Sequence, residues 1–209
     1  IFIPNCQVTA NLSANFSDAS GSLANYCNAV GDADEIAQLE TAKSAWRALM
    51  DAVQKTEMHV LGPAQLNDEA WQKRIHSYTN GNLATCALDQ SVIQLQNDAG
   101  FKVDNRALNQ RGMGAIEYLL YNDNLNHSCS SQVSTTDGWN DLPDSTRKIQ
   151  RCNLALKLAE DVAEASQLIY DQWTSGDTPY RTEFLAEASR GENFQQITDA
   201  MIYIETYTK

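Results

Sequence analysis

Two glutamates placed among apolar neighbours are the residues best suited to carry out chemistry. Glu117 lies in the stretch QRGMGAIEYLLYND, residues 110–123, and shares a helical face with the residues three and four positions away. A carboxylate on an apolar face is costly to bury unless it is paired, protonated or bound to a metal. A structural interpretation stays open, in which Glu117 lies at the edge of the apolar stripe and reaches solvent or a neighbouring helix.

Glu57 is the second candidate, near the end of a long amphipathic segment. His59 follows two residues later, but residues two apart point to different sides of a regular helix and cannot bind one metal together. His59 also suits the carboxyl end of a helix, where a histidine meets exposed carbonyl groups. The motifs Glu-x-x-His, His-Glu-x-x-His and Gly-x-Ser-x-Gly, typical of di-iron bundles, zinc peptidases and serine hydrolases, do not occur.

The acidic composition argues against negatively charged partners. The net charge is −12, so long-range electrostatics oppose binding to nucleic acid or to an anionic membrane surface. Apolar residues make up 43% of the chain, which is typical of a globular protein, and their runs are too short for a transmembrane segment.

Helical periodicity dominates the sequence and predicts an all-α fold, an up-and-down helical bundle. Residues 1–209 are expected to form a single helical-bundle domain. Asp104 is expected to cap the helix that holds Glu117. The clearest patterns predict helices over residues 13–30, 35–61, 85–97 and 145–174.

The five cysteines form no Cys-x-x-Cys pair and no close Cys/His set, which argues against structural zinc. Their number predicts an oxidising compartment, one or two disulfides and one odd thiol. The pairing does not follow from the sequence. The candidates for the bridges are Cys129, Cys152, Cys6 and Cys27.

Four segments, taken together and in order, resemble the imelysin-like family, also called the M75 peptidase family. They are AWRALMDAVQKTE (45–57), RIHSYTNGNLATCALDQSV (74–92), RGMGAIEYLL (111–120) and RKIQRCNLALKLAEDVAEASQLIYDQW (147–173). The resemblance implies an all-helical protein of two bundles, exported to the periplasm or held at the outer membrane as a lipoprotein. The chain would then be the N-terminal bundle, with the beginning of the next part, of a longer two-bundle protein.

The family's hallmark is Gly-x-His-x-x-Glu, and the corresponding stretch here is GMGAIE. Gly112 and Glu117 match the motif, whereas Gly114 stands in place of its histidine. The resemblance also matches Glu57 to a family position and implies that it faces Glu117. Two carboxylates without a histidine make a poor zinc site and better suit iron or another divalent cation that prefers oxygen ligands.

The resemblance implies a cell-envelope protein implicated in bacterial iron uptake. In this interpretation the protein is a metal- or partner-binding accessory without hydrolytic activity, and iron-transport components of the envelope are its partners. Two alternatives stay open: an M75-type metallopeptidase, and a structural or interaction module in which the two glutamates only tie helices together.

Overall fold

A computed structural model describes residues 1–57, 60–76 and 82–207 of the chain, with only the backbone given for residues 66–69 and 203–207. These residues form helices and turns and no strand, which confirms the all-α prediction. None of the described helices is both long and apolar enough to cross a bilayer. The α-helices of the described chain are α1 (Phe2–Ser17), α2 (Ser22–Ala29), α3 (Glu35–Glu57), α4 (Leu66–Ile75), α5 (Thr85–Asn97), α6 (Gly112–Tyr121), α7 (Asp144–Thr174), α8 (Tyr180–Phe184) and α9 (Arg190–Tyr207).

The longest helix, α7, runs through the middle of the bundle and contacts α1, α2, α4, α5 and α6. Its buried face recurs every three or four residues, as an amphipathic helix requires, and includes Leu154, Leu158, Val162, Ala165 and Ile169. Full burial of each leucine side chain stabilises the fold by about 1.5–3 kcal/mol. Because so many helices pack on α7, residues on it can reach several of them at once.

The helix predictions over residues 85–97 and 145–174 are confirmed by α5 and α7, whereas the prediction of a helix over residues 13–30 is wrong. Two helices, α1 and α2, occupy this region, joined by a tight turn at Gly21. A Cβ at Gly21 would lie 2.4 Å from the carbonyl oxygen of Asn15. The first helix also begins earlier than expected, at Phe2, and Ser13 within it donates from Oγ to the carbonyl of Thr9 at 2.8 Å.

Two further boundaries differ from the prediction. Asp104 does not cap the helix that holds Glu117, because it lies in a separate 3-10 turn and α6 begins at Gly112. In the described chain α3 ends at Glu57, and a 3-10 turn starts at Gly62. Residues 58–59, part of the predicted helix over 35–61, lie outside the described residues.

Two disulfides cross-link the bundle. Cys27–Cys152 joins α2 to α7 with a Cα–Cα distance of 5.5 Å, and Cys86–Cys129 joins α5 to the loop after α6 with a distance of 4.6 Å. Both distances lie within the range found for disulfide bridges. Cys6 is a free thiol, so naming it as a bridge candidate was wrong and Cys86 was missed. The reason is spatial: Cys6 lies on α1 at a small cavity, whereas Cys86 on α5 faces the loop.

Cys6 is predicted to resist alkylation in the native protein. Burial raises the pKa of this thiol to about 11 from an ordinary value of 9.0. Because one pKa unit is a tenfold change, the thiolate population at pH 8 falls about 100-fold. Iodoacetamide at pH 8 without reductant should label about one thiol per chain, only after unfolding, and mass spectrometry should locate it at Cys6. Labelling of Cys86 or Cys129 in the unfolded, unreduced chain would contradict the disulfide assignment.

Candidate functional site

The helix that carries the sequence motif begins at a glycine whose backbone no other residue would tolerate well. Gly112 has φ +73°, and a Cβ built on it would lie 2.5 Å from the carbonyl oxygen of Ile75 and 2.9 Å from that of Arg74. Both atoms belong to the last turn of α4, and backbone cannot move aside as a flexible side chain can. Gly112 therefore serves close packing of α6 on α4 and a left-handed backbone conformation.

A buried carboxylate fixes this junction to α7. Asp161 accepts hydrogen bonds from Arg74 Nε at 3.0 Å and Nη2 at 2.7 Å, and from Arg111 Nε at 3.0 Å and Nη2 at 2.5 Å. The side chain of Asp161 is 5% exposed, and that of Arg111 is 7% exposed. One carboxylate thus holds the last turn of α4 and the residue before α6 on the same stretch of α7.

Carboxylates around Arg74 oppose the effect of its burial. Burial alone would lower the pKa of Arg74, but Asp161 and Glu164 together raise this pKa above its ordinary value. Glu164 binds Arg74 Nη2 at 2.6 Å, and Asp104 binds Arg111 Nη2 at 3.1 Å. Both of these outer carboxylates are largely exposed, so water screens their contribution and Asp161 supplies the strong pairing.

His76 immediately follows α4 and binds one of the two glutamates predicted from the sequence. Its Nδ1 lies 2.5 Å from Glu57 Oε1, and its Nε2 lies 2.5 Å from Nε2 of Gln72. The Gln72 amide and ring Nε2 form a hydrogen bond, whereas Nδ1 approaches the Glu57 carboxylate closely without the geometry of a hydrogen bond. The ring is 1% exposed. The pair ties the end of α3 to the end of α4, and both ring nitrogens are occupied by protein atoms.

Glu117 lies elsewhere on α6, at an open pocket of about 330 Å³. The side chain is half-buried, and the pocket is also lined by Leu83, Gly114, Tyr118, Tyr121 and Asn122. Burial raises the pKa of the Tyr121 hydroxyl, and the Glu117 carboxylate reinforces this against the opposing effect of Arg47. Glu57 does not line this pocket, so the expected pairing of the two glutamates stays a prediction.

A second buried carboxylate, Asp89 on α5, organises the other end of α6. Its Oδ2 accepts hydrogen bonds from the backbone and hydroxyl of Ser128 at 2.7 and 2.8 Å and from Tyr118 at 3.1 Å. The neighbouring Cys86–Cys129 bridge holds the Ser128 loop against α5. Arg151 on α7 approaches Asp89 Oδ1 only to 3.7 Å, while its Nη1 donates to the carbonyl of Asn122 at 3.1 Å.

The comparison with protein-family models decides which family this is. The model of Imelysin, peptidase M75, matches residues 10–209. The chain belongs to the imelysin family. No match was found among curated proteins or among solved structures. The imelysin assignment confirms the resemblance seen in the four sequence segments and extends it towards the amino terminus.

The described residues of this imelysin do not fit a metal centre. Within residues 1–57, 60–76 and 82–207, no group of three or more His, Cys, Asp or Glu side chains could hold an ion. A catalytic zinc usually needs three protein ligands and an open position. The pair Glu57–His76 offers two donors at most, and Gln72 already occupies the second ring nitrogen. His59 lies outside the described residues.

Sequence reasoning missed His76, Asp161 and Asp89, although all three lie in segments that carry the imelysin resemblance. An acidic residue on an apolar helical face could have identified two of them in the sequence. Asp161 on α7 and Asp89 on α5 occupy such positions, as Glu117 does. Their basic partners lie more than ten residues away, so no local spacing reveals them.

The Asp161 cluster is predicted to dominate the stability of this junction. Asp161→Asn keeps the shape but leaves two arginines without a buried counter-charge and turns an amide donor towards their N–H groups. The free energy of unfolding should fall by about 3–5 kcal/mol, as for other broken buried pairs. Urea denaturation followed by circular dichroism measures the change.

Glu164→Gln is the matched control, since it removes an exposed partner of the same Arg74. It should change the free energy of unfolding by less than about 1 kcal/mol. Equal losses in the two variants would contradict the assigned role of Asp161.

Gly112→Ala is predicted to destabilise the protein more than Gly138→Ala. The two glycines have φ of +73° and +75°, but no atom lies within 4 Å of a Cβ at Gly138. Gly138→Ala should therefore cost only the left-handed strain, about 1–2 kcal/mol. Gly112→Ala should cost about 3 kcal/mol or more, because α6 must also move away from α4. Thermal or urea unfolding of both variants measures the difference, and equal costs would contradict the close contact.

Proposed function

We propose that this imelysin is a binding accessory of bacterial iron uptake in the cell envelope and that it has no hydrolytic activity. Family membership supports the general role, because residues 10–209 match the imelysin model. Two disulfides support an exported protein of the periplasm or outer membrane, since such bridges persist in oxidising compartments. Iron-transport components of the envelope are the proposed partners.

The donor set carries the argument against hydrolysis. A metallopeptidase must hold its ion with several ligands and leave room for an activated water. Among the described residues, His76 is the histidine that contacts a predicted site residue, and protein atoms engage both of its ring nitrogens. Gly114 brings no side chain to the position that the resemblance assigns to the motif histidine.

The binding role has two forms, of which the described structure favours the one with a protein partner. In the metal form, the half-buried Glu117 is the oxygen ligand and iron or another divalent cation is the proposed ion. The net charge of −12 would attract such a cation. The described side chains bring no three metal ligands together. A partner that itself carries the iron would need no further ligands from this chain, so we favour the form with a protein partner.

The pair formed by Glu57 and His76 gives limited support to two alternatives, a metallopeptidase and a structural or interaction module. It brings one nitrogen and one oxygen together, two of the three ligands that the catalytic zinc of an M75-type metallopeptidase would need. It also ties α3 to the residue that follows α4, as a purely structural or interaction module requires.

A peptidase assay tests the proposed lack of hydrolytic activity directly. Purified protein is expected to release no more product from a fluorescent casein or peptide library than a buffer blank, with zinc, iron or chelator added. Turnover that a chelator removes, and that both Glu117→Gln and His76→Gln abolish in folded protein, would overturn the proposal and favour the metallopeptidase.

Iron titration separates the two forms of the binding role. Calorimetry of the metal-free protein with ferrous and ferric iron should show no saturable heat if the partner form holds. Saturable binding that is lost in Glu117→Gln but kept in Glu160→Gln, an exposed glutamate paired with Lys157, would instead establish the metal form.

A further inference from the structure

The two disulfides differ in exposure. Cys86 on α5 and Cys129 in the loop after α6 are both partly exposed, whereas Cys152 of the other bridge is 3% exposed and belongs to the hydrophobic core. Thiol–disulfide exchange requires an attacking thiolate to reach one of the two sulfurs, so exposed bridges are reduced more readily than buried ones. A dithiol reductant is therefore expected to open the Cys86–Cys129 bridge first.

This bridge fixes the residue beside it on a buried carboxylate. Ser128, which precedes Cys129, donates from its backbone N–H and from Oγ to Asp89 Oδ2, at 2.7 and 2.8 Å. Asp89 follows Cys86 by three residues on α5 and is 1% exposed, whereas Ser128 is exposed. Once the bridge opens, water competes for Ser128, and the covalent link that holds it near Asp89 is gone.

A second partner for Asp89 lies close by and is incompletely bonded. Nη2 of Arg151 on α7 lies 3.7 Å from Asp89 Oδ1, beyond hydrogen-bond distance. Arg151 is 2% exposed, and no described atom accepts a hydrogen bond from its Nε or Nη2. Native proteins rarely leave buried charged donors so. A movement of about 1 Å would bring Nη2 to the distance of a charge-assisted hydrogen bond with Asp89.

Arg151 also connects this cluster to the pocket that Glu117 lines. Its Nη1 donates at 3.1 Å to the carbonyl of Asn122, which directly follows α6 and lines that pocket. Tyr118 lines the same pocket and donates to Asp89 Oδ2 at 3.1 Å. The pocket is thus joined to Asp89 at two points, and a change in the partners of Asp89 displaces both.

The rest of the loop does not depend on the bridge. Trp139 is 2% exposed and donates from Nε1 to the carbonyl of Leu125 at 2.8 Å. Arg147 Nη1 donates to Asn126 Oδ1 at 2.8 Å, and the other disulfide still joins α2 to α7. Opening of the exposed bridge is therefore a local change, and the reduced protein is expected to stay folded.

We propose that the Cys86–Cys129 disulfide is a redox switch of the pocket that Glu117 lines. In the oxidised state, Asp89 accepts hydrogen bonds from Ser128. In the reduced state, Asp89 accepts a hydrogen bond from Nη2 of Arg151 instead, and the end of α6, bonded to Nη1, follows. That this change regulates binding rests on the proposed function, whereas the two states can be measured without any ligand.

The reductant is a protein dithiol of the thioredoxin class. One of its thiolates attacks a sulfur of the bridge, forms a mixed disulfide and releases the other cysteine as a thiolate. The second thiol of the reductant, as its thiolate, then displaces the remaining cysteine. The switch protein gains two thiols, and the reductant is oxidised to its own disulfide, so the two electrons balance.

Selective reduction is measured on the intact protein with dithiothreitol, a small dithiol. Samples are quenched with acid, unfolded and alkylated, and the labelled cysteines are located by mass spectrometry. Cys86 and Cys129 should become labelled at least about tenfold faster than Cys27 and Cys152. Cys6 should be labelled in every sample and is the internal reference. Equal rates, or faster reduction of the core bridge, would overturn the proposal.

The exchange of partners is measured in the double variant Cys86→Ser, Cys129→Ser. Its crystal structure should show Nη2 of Arg151 within about 3 Å of Asp89. In solution, the NMR signal of the Arg151 Nε–H group should shift from its position in the oxidised protein. Cys6→Ser, which removes a thiol and no bridge, should leave this signal in place.

Two results contradict the switch. One is an Arg151 that keeps its separation from Asp89 and its NMR signal when the bridge is absent. The other is a protein that unfolds when dithiothreitol opens the exposed bridge alone, since a switch needs two folded states. If the double variant does not fold, the NMR signal of Arg151 in the reduced, unaltered protein decides between these outcomes.

Discussion

The attachment of α6 to α7 is the constraint on which the rest of this structure depends. At its beginning, Arg111 donates to Asp161, and at its end the carbonyl of Asn122 accepts from Arg151. The two anchor residues on α7 are ten positions apart, and their partners Arg111 and Asn122 are eleven positions apart. At 1.5 Å per residue these spans are about 15 and about 16.5 Å, so the antiparallel helices nearly match in length between their anchors.

The contacts around the start of α6 follow from this attachment. With Arg111 held on Asp161, Gly112 must lie against the last carbonyls of α4, where a Cβ would come within 2.5 Å of Ile75 oxygen. Arg74, one residue earlier, completes the pairing of Asp161. His76, one residue later, is then in place to bind Glu57 at the end of α3. One buried carboxylate thus determines the relative positions of four helices.

The sequence predicted what depends on local periodicity and missed what depends on distant partners. The helices α5 and α7 have clear apolar stripes, and their boundaries were predicted within a residue. The pairing Cys86–Cys129 and the sharing of Asp161 by two arginines join residues 43 to 87 positions apart. No spacing rule reaches that far, because the geometry of a bundle and not of one helix brings such residues together. Of the candidate site, Glu57 and Glu117 were named, but neither His76 nor Arg151 was.

Gly112 and Glu117, the two motif residues on α6, differ in how tightly the surrounding structure constrains them. Gly112 is constrained by its positive φ and by the backbone of α4, so its role is explained by packing. Glu117 is half-buried at an open pocket, and the anchors at both ends of α6 do not involve it. Glu117 therefore lies outside the Arg111–Asp161 and Arg151–Asn122 contacts that fix the two ends of α6.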